Sequence, residues 1–127
     1  MIIQIQNILQ ESKNTVEKTI KSEQIIKNLN AVVEIIFNAF SAGNKILLCG
    51  NGGSAAMASH VTVDLTKTAG IRAVNFNEAD LLTCFANDYG YENWVAMALE
   101  FYADEGDLAI LISSSGQLVF HPPSIVR

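Results

Sequence analysis

The sequence predicts an α/β fold: a three-layer, doubly wound parallel sheet with a helical segment in front of it. Three observations predict it. After residue 43, short apolar runs alternate with helical stretches, the order of a parallel sheet with helices on both faces. The first of these runs, residues 45–49, is continuously apolar after its lysine rather than alternating, as a strand buried on both faces is. Two of the three runs end in corners rich in Gly or Ser, and ligands of open α/β sheets sit at the carboxyl ends of strands.

Residues 2–42 carry apolar side chains at helical spacing. Ile5, Ile8, Leu9, Val16 and Ile20 lie among Gln, Asn, Lys and Glu, and Ile25, Ile26, Leu29, Val32, Val33, Ile36, Phe37 and Phe40 continue at steps of three and four. Ser22 is placed to break the segment and cap a second helix. Gly43 with Asn44 supplies the stop. This apolar stripe can pack on the rest of the domain, on another subunit, or on both. The elements that follow are a strand over 45–49, a helix rich in small residues over 54–66 and a strand over 71–76. Then come a helix over 78–86, a turn at Asn87-Asp88-Tyr89-Gly90, a helix over 92–103 and a strand over 108–112. Trp94, Phe101 and Tyr102 read as core or interface. Lys67 and Arg72 read as solvated.

At 127 residues, half of them hydrophobic, the chain is one small domain with enough apolar surface for a core. The net charge of −5 argues against a nucleic-acid partner. It does not exclude phosphate, because a nest of backbone N–H groups holds that anion with few cationic side chains. The two cysteines, Cys49 and Cys84, read as reduced core residues. No apolar run approaches the roughly 20 residues of a membrane span, and no secretory leader pattern is visible. The expectation is a cytoplasmic protein without a membrane partner.

The chemistry concentrates in Cys49-Gly50-Asn51-Gly52-Gly53-Ser54 and in Ser113-Ser114-Ser115-Gly116. A strand that turns sharply into a helix gathers amide hydrogens and the positive end of the helix dipole. Taken alone, Gly50, Gly52 and Gly53 also suit a plain tight turn, and Ser54 a plain N-cap. Two such corners side by side form one pocket floored by N–H groups and hydroxyls.

These segments resemble the signatures of the sugar isomerase (SIS) domain family. Gly50 to Ser54, with Ala58, His60 and Asp64-Leu65-Thr66, resembles the first. Ala86-Asn87-Asp88-Tyr89-Gly90-Tyr91 resembles the second. Glu105-Gly106-Asp107 with Ile112-Ser113-Ser114-Ser115-Gly116 resembles the third. Within the family the chain is most similar to the phosphoheptose isomerases, which carry a helical N-terminal extension. The resemblance spans roughly residues 25–117. It implies a flavodoxin-like SIS fold, with residues 1–42 as the helical extension and 43–127 as a partial SIS domain. It implies a phosphorylated sugar as ligand and a homo-oligomer, tetramer or dimer, with sites shared between subunits. The implied reaction converts sedoheptulose 7-phosphate to a heptose 7-phosphate for lipopolysaccharide synthesis. By the same resemblance Asn51, Gly52, Gly53, Ser54, Asn87 and Asp88 contact substrate, and Ser113, Ser114 and Ser115 hold its phosphate. His60 and Asp64 stand where the family has a His and a Glu that contribute to a metal site, zinc being the candidate, and the acid is also the candidate catalytic group. No organic cofactor is implied.

The chain departs from the family at three places. Asp64 is one methylene shorter than Glu, which displaces the carboxylate by about 1.5 Å, enough to cost a catalyst heavily. Leu118 stands where the family places a phosphate-binding Ser. A Gln and a second His that complete the family's ligand set belong to a later helix. Here Leu118-Val119-Phe120-His121-Pro122-Pro123 follows instead, and paired prolines cannot enter a helix interior. The expectation is a shortened domain. Two readings stay open: a phosphoheptose-type isomerase, incomplete for catalysis as it stands, and a non-catalytic SIS module of the kind that regulates or scaffolds.

Overall fold

The computed structural model of the chain describes residues 2–116. Leu118, His121 and the Pro122-Pro123 pair lie outside the described residues. The chain divides into two compact units, Met1–Phe37 and Asn38–Arg127.

The first unit holds helix α1 (Ile2–Lys21) and most of helix α2 (Glu23–Ser41). Ser22 separates them and caps α2: the Ile25 N–H donates to Ser22 Oγ at 3.3 Å, the N-cap to N3 bond expected of serine at that position. Most apolar residues of this unit, among them Ile8, Leu29 and Val33, are exposed. No helix among the described residues is long and apolar enough to cross a membrane.

In the second unit Gly43 (φ +78°) ends α2, and its neighbour Asn44 donates an N–H to Ala39 O at 3.0 Å. The elements that follow are β1 (Ile46–Gly50), α3 (Gly53–Val63), β2 (Ala73–Asn75), α4 (Ala79–Tyr89), α5 (Trp94–Tyr102) and β3 (Leu108–Ile112). All three strands are parallel, in the order β2-β1-β3. The central strand β1 is buried along its whole length, which is why its sequence is apolar without alternation.

Leu47 and Cys49 point to one side of the sheet, into a core with Phe76, Trp94, Val95, Ala98 and Leu99, over which α4 lays Leu81, Leu82 and Phe85. Ile46, Leu48 and Gly50 point to the other side by the two-residue alternation of a strand. There α3 packs, its Ala58 fully buried. The result is three layers, α3, sheet and α4–α5, as the sequence predicts.

Three local details differ from expectation. The helix expected over 54–66 is an α-helix to Val63 and then a wider π turn, Asp64–Thr68, because the Asp64 carbonyl accepts from the Ala69 N–H five residues on, at 3.1 Å. Asn87, Asp88 and Tyr89 are not a turn. They are the last helical residues of α4, and the chain leaves the helix only at Gly90, whose N–H still donates to Ala86 O at 3.1 Å. Cys84 is exposed rather than part of the core, whereas Cys49 is buried as expected.

The amino ends of the strands are held by a polar tie. Asp107 accepts from the Lys45 N–H at 2.8 Å, from the Asp104 N–H at 2.8 Å and from the Lys45 ammonium, which also reaches Asp104 at 2.6 Å. Asn44 adds a bond from Nδ2 to Gly106 O at 2.7 Å. Together these bonds join the start of β1 to the turn before β3. The Asp107 side chain is 4% exposed and that of Lys45 16%. Burial pushes the Asp107 carboxyl up, but the Lys45 ammonium and the two backbone N–H groups outweigh it and hold the group below the usual carboxylate range. Burial likewise pulls Lys45 down, and Asp104 with Asp107 outweighs that and raises it.

A carboxyl whose pKa is lower in the folded state stabilises the fold above its unfolded value, about 3.9, and loses that contribution as pH falls through the folded one. A lysine whose pKa is raised contributes fully below about 10.4 and loses the contribution as pH rises through its folded value. Asp107→Asn is therefore expected to cost about 1–3 kcal/mol at pH 7. In thermal melts followed by circular dichroism from pH 7 to pH 2, the gap between variant and wild type should narrow toward the acid end. A gap that stays constant over that range would rule out the ionised tie.

Candidate functional site

The site follows from strand order. The chain leaves β1 toward β2 on one side and returns across β1 to reach β3 on the other. Connections that part in opposite directions leave a crevice at the carboxyl ends of the two strands between them, here β1 and β3. In the register of that pair Gly50 stands opposite Ile112. The Gly-rich corner and the Ser-rich corner thus both begin one residue past the same rung of the ladder.

The first corner is shaped by two glycines. A Cβ on Gly50 would lie 2.6 Å from the Ser54 carbonyl carbon and 2.7 Å from its oxygen, so α3 begins closer to the strand than any side chain permits. Gly52, the residue before α3, has φ +56° and ψ −122°, a region that residues bearing a Cβ rarely enter. Ser54, which suits an N-cap by residue type, is not one. Gly52 holds the cap position, and Ser54 lies inside the first helical turn, buried. The Ser54 N–H donates to Asn51 O at 3.0 Å and the Ala55 N–H to Gly52 O at 3.1 Å. Among the described residues the amide of Gly53 makes no bond to the corner's own carbonyls.

The second corner leaves β3 at Ser113, whose Oγ accepts the Gly116 N–H at 3.1 Å and stands 3.5 Å from Ser115 Oγ. Between the corners lies a pocket of about 180 Å³. Asn51, Ser54, Ser113, Ser114 and Ser115 line it together with Gly50, and Cys49, Val95, Leu111 and Ile112 form its apolar wall. Gly52 and Gly53 shape the corner without lining the pocket.

The apolar wall is what sequence reasoning missed. Leu111 and Ile112 could have been found, since they immediately precede the Ser corner at a strand end. Val95 could not, because only the packing of α5 brings it there. No lining residue is charged among the described residues, and burial pushes the Cys49 thiol up to about 12. The pocket therefore offers serine hydroxyls and an amide side chain beside the start of α3, donors suited to a neutral anion site.

The other predicted residues lie elsewhere. Asp88 lines a separate groove of about 340 Å³ with Cys84, Phe85, Phe101 and Tyr102, and Asn87 donates from Nδ2 to Asp88 Oδ1 at 2.9 Å. The Cys84 thiol stands 3.6 Å from Asp88 Oδ2, and that hydrogen bond and charge push its pKa up. His60 and Asp64 do share one helix face, as their four-residue spacing requires. The Nε2 to Oδ2 distance is 3.6 Å, with side chains 80% and 61% exposed. No third His, Cys, Asp or Glu joins them among the described residues. Zinc takes three or four protein ligands, so the two donors present do not fit it by themselves.

Comparison with known proteins places these features in a family. The SIS domain profile matches residues 8–119. A phosphoheptose isomerase of Clostridium acetobutylicum is 38% identical over 107 residues, covering 79% of this chain and 54% of that protein. One from Fusobacterium nucleatum is 34% identical over 115 residues, covering 87% of this chain and 57% of that protein. The structure of a phosphoheptose isomerase from Neisseria gonorrhoeae superposes with a TM-score of 0.85 at 27% identity, covering 91% of this chain and 62% of that one. The chain thus spans little more than half the length of these curated relatives.

Position 50 provides the direct check on the corner. Gly50→Ala is expected to destabilise the second unit by about 1–3 kcal/mol, the usual cost of forcing a methyl group into a packed interior. It should also shift the amide resonances of Gly53 and Ser54. A variant as stable as the parent, with those resonances in place, would contradict the close approach.

Proposed function

The chain belongs to the SIS domain family, and from that premise we propose that its pocket binds the phosphate of a phosphorylated sugar in the service of a phosphoheptose-type isomerisation. The reaction proposed is sedoheptulose 7-phosphate to D-glycero-D-manno-heptose 7-phosphate. The observation that carries the proposal is the pairing of Gly50 with Ile112. It sets the α3 helix start beside the three serines, so that amides and hydroxyls converge on one volume from two strands. In this reading Ser113, Ser114 and Ser115 hold the phosphate with the first turn of α3, and Asn51 and Ser54 meet the adjoining sugar atoms. The names of the relatives support the substrate. The same reading assigns the protein to the cytoplasm, to the supply of heptose for lipopolysaccharide, and to a homo-oligomer whose contacts use the exposed apolar stripe of α1 and α2.

Aldose–ketose isomerisation moves a proton between neighbouring carbons, which takes a base and a group that polarises the carbonyl. Asp64 is the candidate base by resemblance, yet it does not line the pocket. That observation favours a second reading, a phosphosugar-binding module without turnover.

The experiment is thermal unfolding of the full chain with sedoheptulose 7-phosphate, with sedoheptulose and with inorganic phosphate. At a hundred times Kd the phosphorylated sugar should stabilise by about 2.7 kcal/mol, while the free sugar leaves the midpoint unchanged. Ser114→Ala should raise Kd by roughly tenfold, one hydrogen bond to a charged group. Absence of any shift in the folded wild type would refute the pocket assignment. Binding with no aldose formed, followed by a coupled assay, would select the module over the isomerase.

A further inference from the structure

Asn77 lies between β2 and α4 and does not line the pocket. Its half-buried side chain nevertheless reaches the helix on which the pocket is built. Nδ2 donates to Ala55 O at 2.8 Å and to Ser59 Oγ at 2.6 Å. Its backbone N–H donates to Asn75 Oδ1 at 3.2 Å, which ties the residue back to the end of β2. The two acceptors lie one turn apart on α3, and Ala55 directly follows the pocket residue Ser54. From β1, the same turn is approached so closely at Gly50 that no Cβ fits between. The start of α3 is thus held from two strands: by direct contact at the end of β1, and by a side-chain amide from the loop after β2.

We propose that Asn77 is a positioning residue for the pocket: it sets the angle at which the first turn of α3 presents its amides and Ser54 to the ligand. The proposal rests on the reading of that pocket as a phosphate site. Van der Waals contact at Gly50 fixes how near α3 lies to the sheet but leaves its rotation about the strand free. Two hydrogen bonds from one amide, whose hydrogens diverge in a fixed plane, restrain that rotation. An alanine at position 77 leaves the Ala55 carbonyl its helical partner but removes the lateral restraint. The amide hydrogens of the corner then sample a wider range, and binding to a small, directional anion weakens as its donors lose their preset geometry.

The test uses the full chain and three variants, Asn77→Ala, Ser59→Ala and Asp107→Asn, the last at the opposite end of the sheet. Calorimetric titration with sedoheptulose 7-phosphate and with inorganic phosphate is run at a temperature where circular dichroism shows every variant folded. Amide spectra are recorded without ligand. Asn77→Ala is expected to weaken binding five- to tenfold and to shift the Gly53 and Ser54 amides. Ser59→Ala, which removes one of the two acceptors, should move both readouts the same way by less. Asp107→Asn should lower the melting midpoint and leave both unchanged. Wild-type affinity and unshifted amides in Asn77→Ala would overturn the proposal, and so would an equal loss of affinity in Asp107→Asn, since that is what general destabilisation produces. If the wild type binds neither ligand, the phosphate reading falls. The corner amides then decide Asn77 alone: shifts there keep it as the residue that orients the turn, and their absence removes it.

Discussion

The absence of a side chain at position 50 is the constraint on which the rest of the site depends. It brings the backbone of Ser54 to within 2.6 Å of where a Cβ would stand, and that approach fixes how α3 sits on the sheet. The small residues of α3 follow from it. Ser54 and Ala58 are buried against the strands, and a larger residue at either position would lift the helix off β1. The unusual backbone at Gly52 follows as well, because the chain must reverse from strand to helix within two residues. Because β1 and β3 are in parallel register, the same geometry sets the Ser corner at the height of the helix start.

The two ends of the sheet divide the work of the domain. At the amino ends, Lys45, Asp104, Asp107, Asn44 and Gly106 bond one another. At the carboxyl ends the chain turns early, and the corner's donors are only partly spent on its own carbonyls. A buried ion pair is a weak source of net stability, yet leaving either partner alone is costly. The tie therefore holds the start of β1 to the turn before β3, at the end of the sheet away from the pocket.

Much of this was legible in the sequence for identifiable reasons. β1 and β3 announced themselves as apolar runs ending in turn residues, and Ser22 and Gly43 mark helix boundaries through bonds made within a few residues. What depends on local chemistry alone was readable. Asn87 and Asp88 were misread as a turn because both favour turns, while the helix continues for as long as carbonyls remain in line and stops only at Gly90. Ser54 suits a cap by residue type, whereas the backbone angles at Gly52 place the cap two residues earlier. The π turn, the exposure of Cys84 and the arrival of Val95 at the pocket depend on how helices lie across the sheet. No periodicity encodes that.

The pocket carries no charged side chain among the described residues, in a chain whose net charge is −5. A phosphate ester, the ligand proposed above, would be repelled by such a protein at a distance and held only on contact. Holding it on contact requires donors whose directions are fixed beforehand, because a dipole, unlike an ammonium ion, attracts strongly only along its axis. On that proposal, rigidity at the corner replaces charge as the source of affinity. This explains why the residues around it are devoted to restraint: a glycine that admits the closest approach, a second glycine in a conformation few residues share, and an asparagine that reaches across from β2. The groups suited to proton transfer, Asp64 with His60 and Asp88 on α4, lie outside that restrained volume. On the proposed reading, phosphate recognition and proton movement therefore fall to separate groups among the described residues.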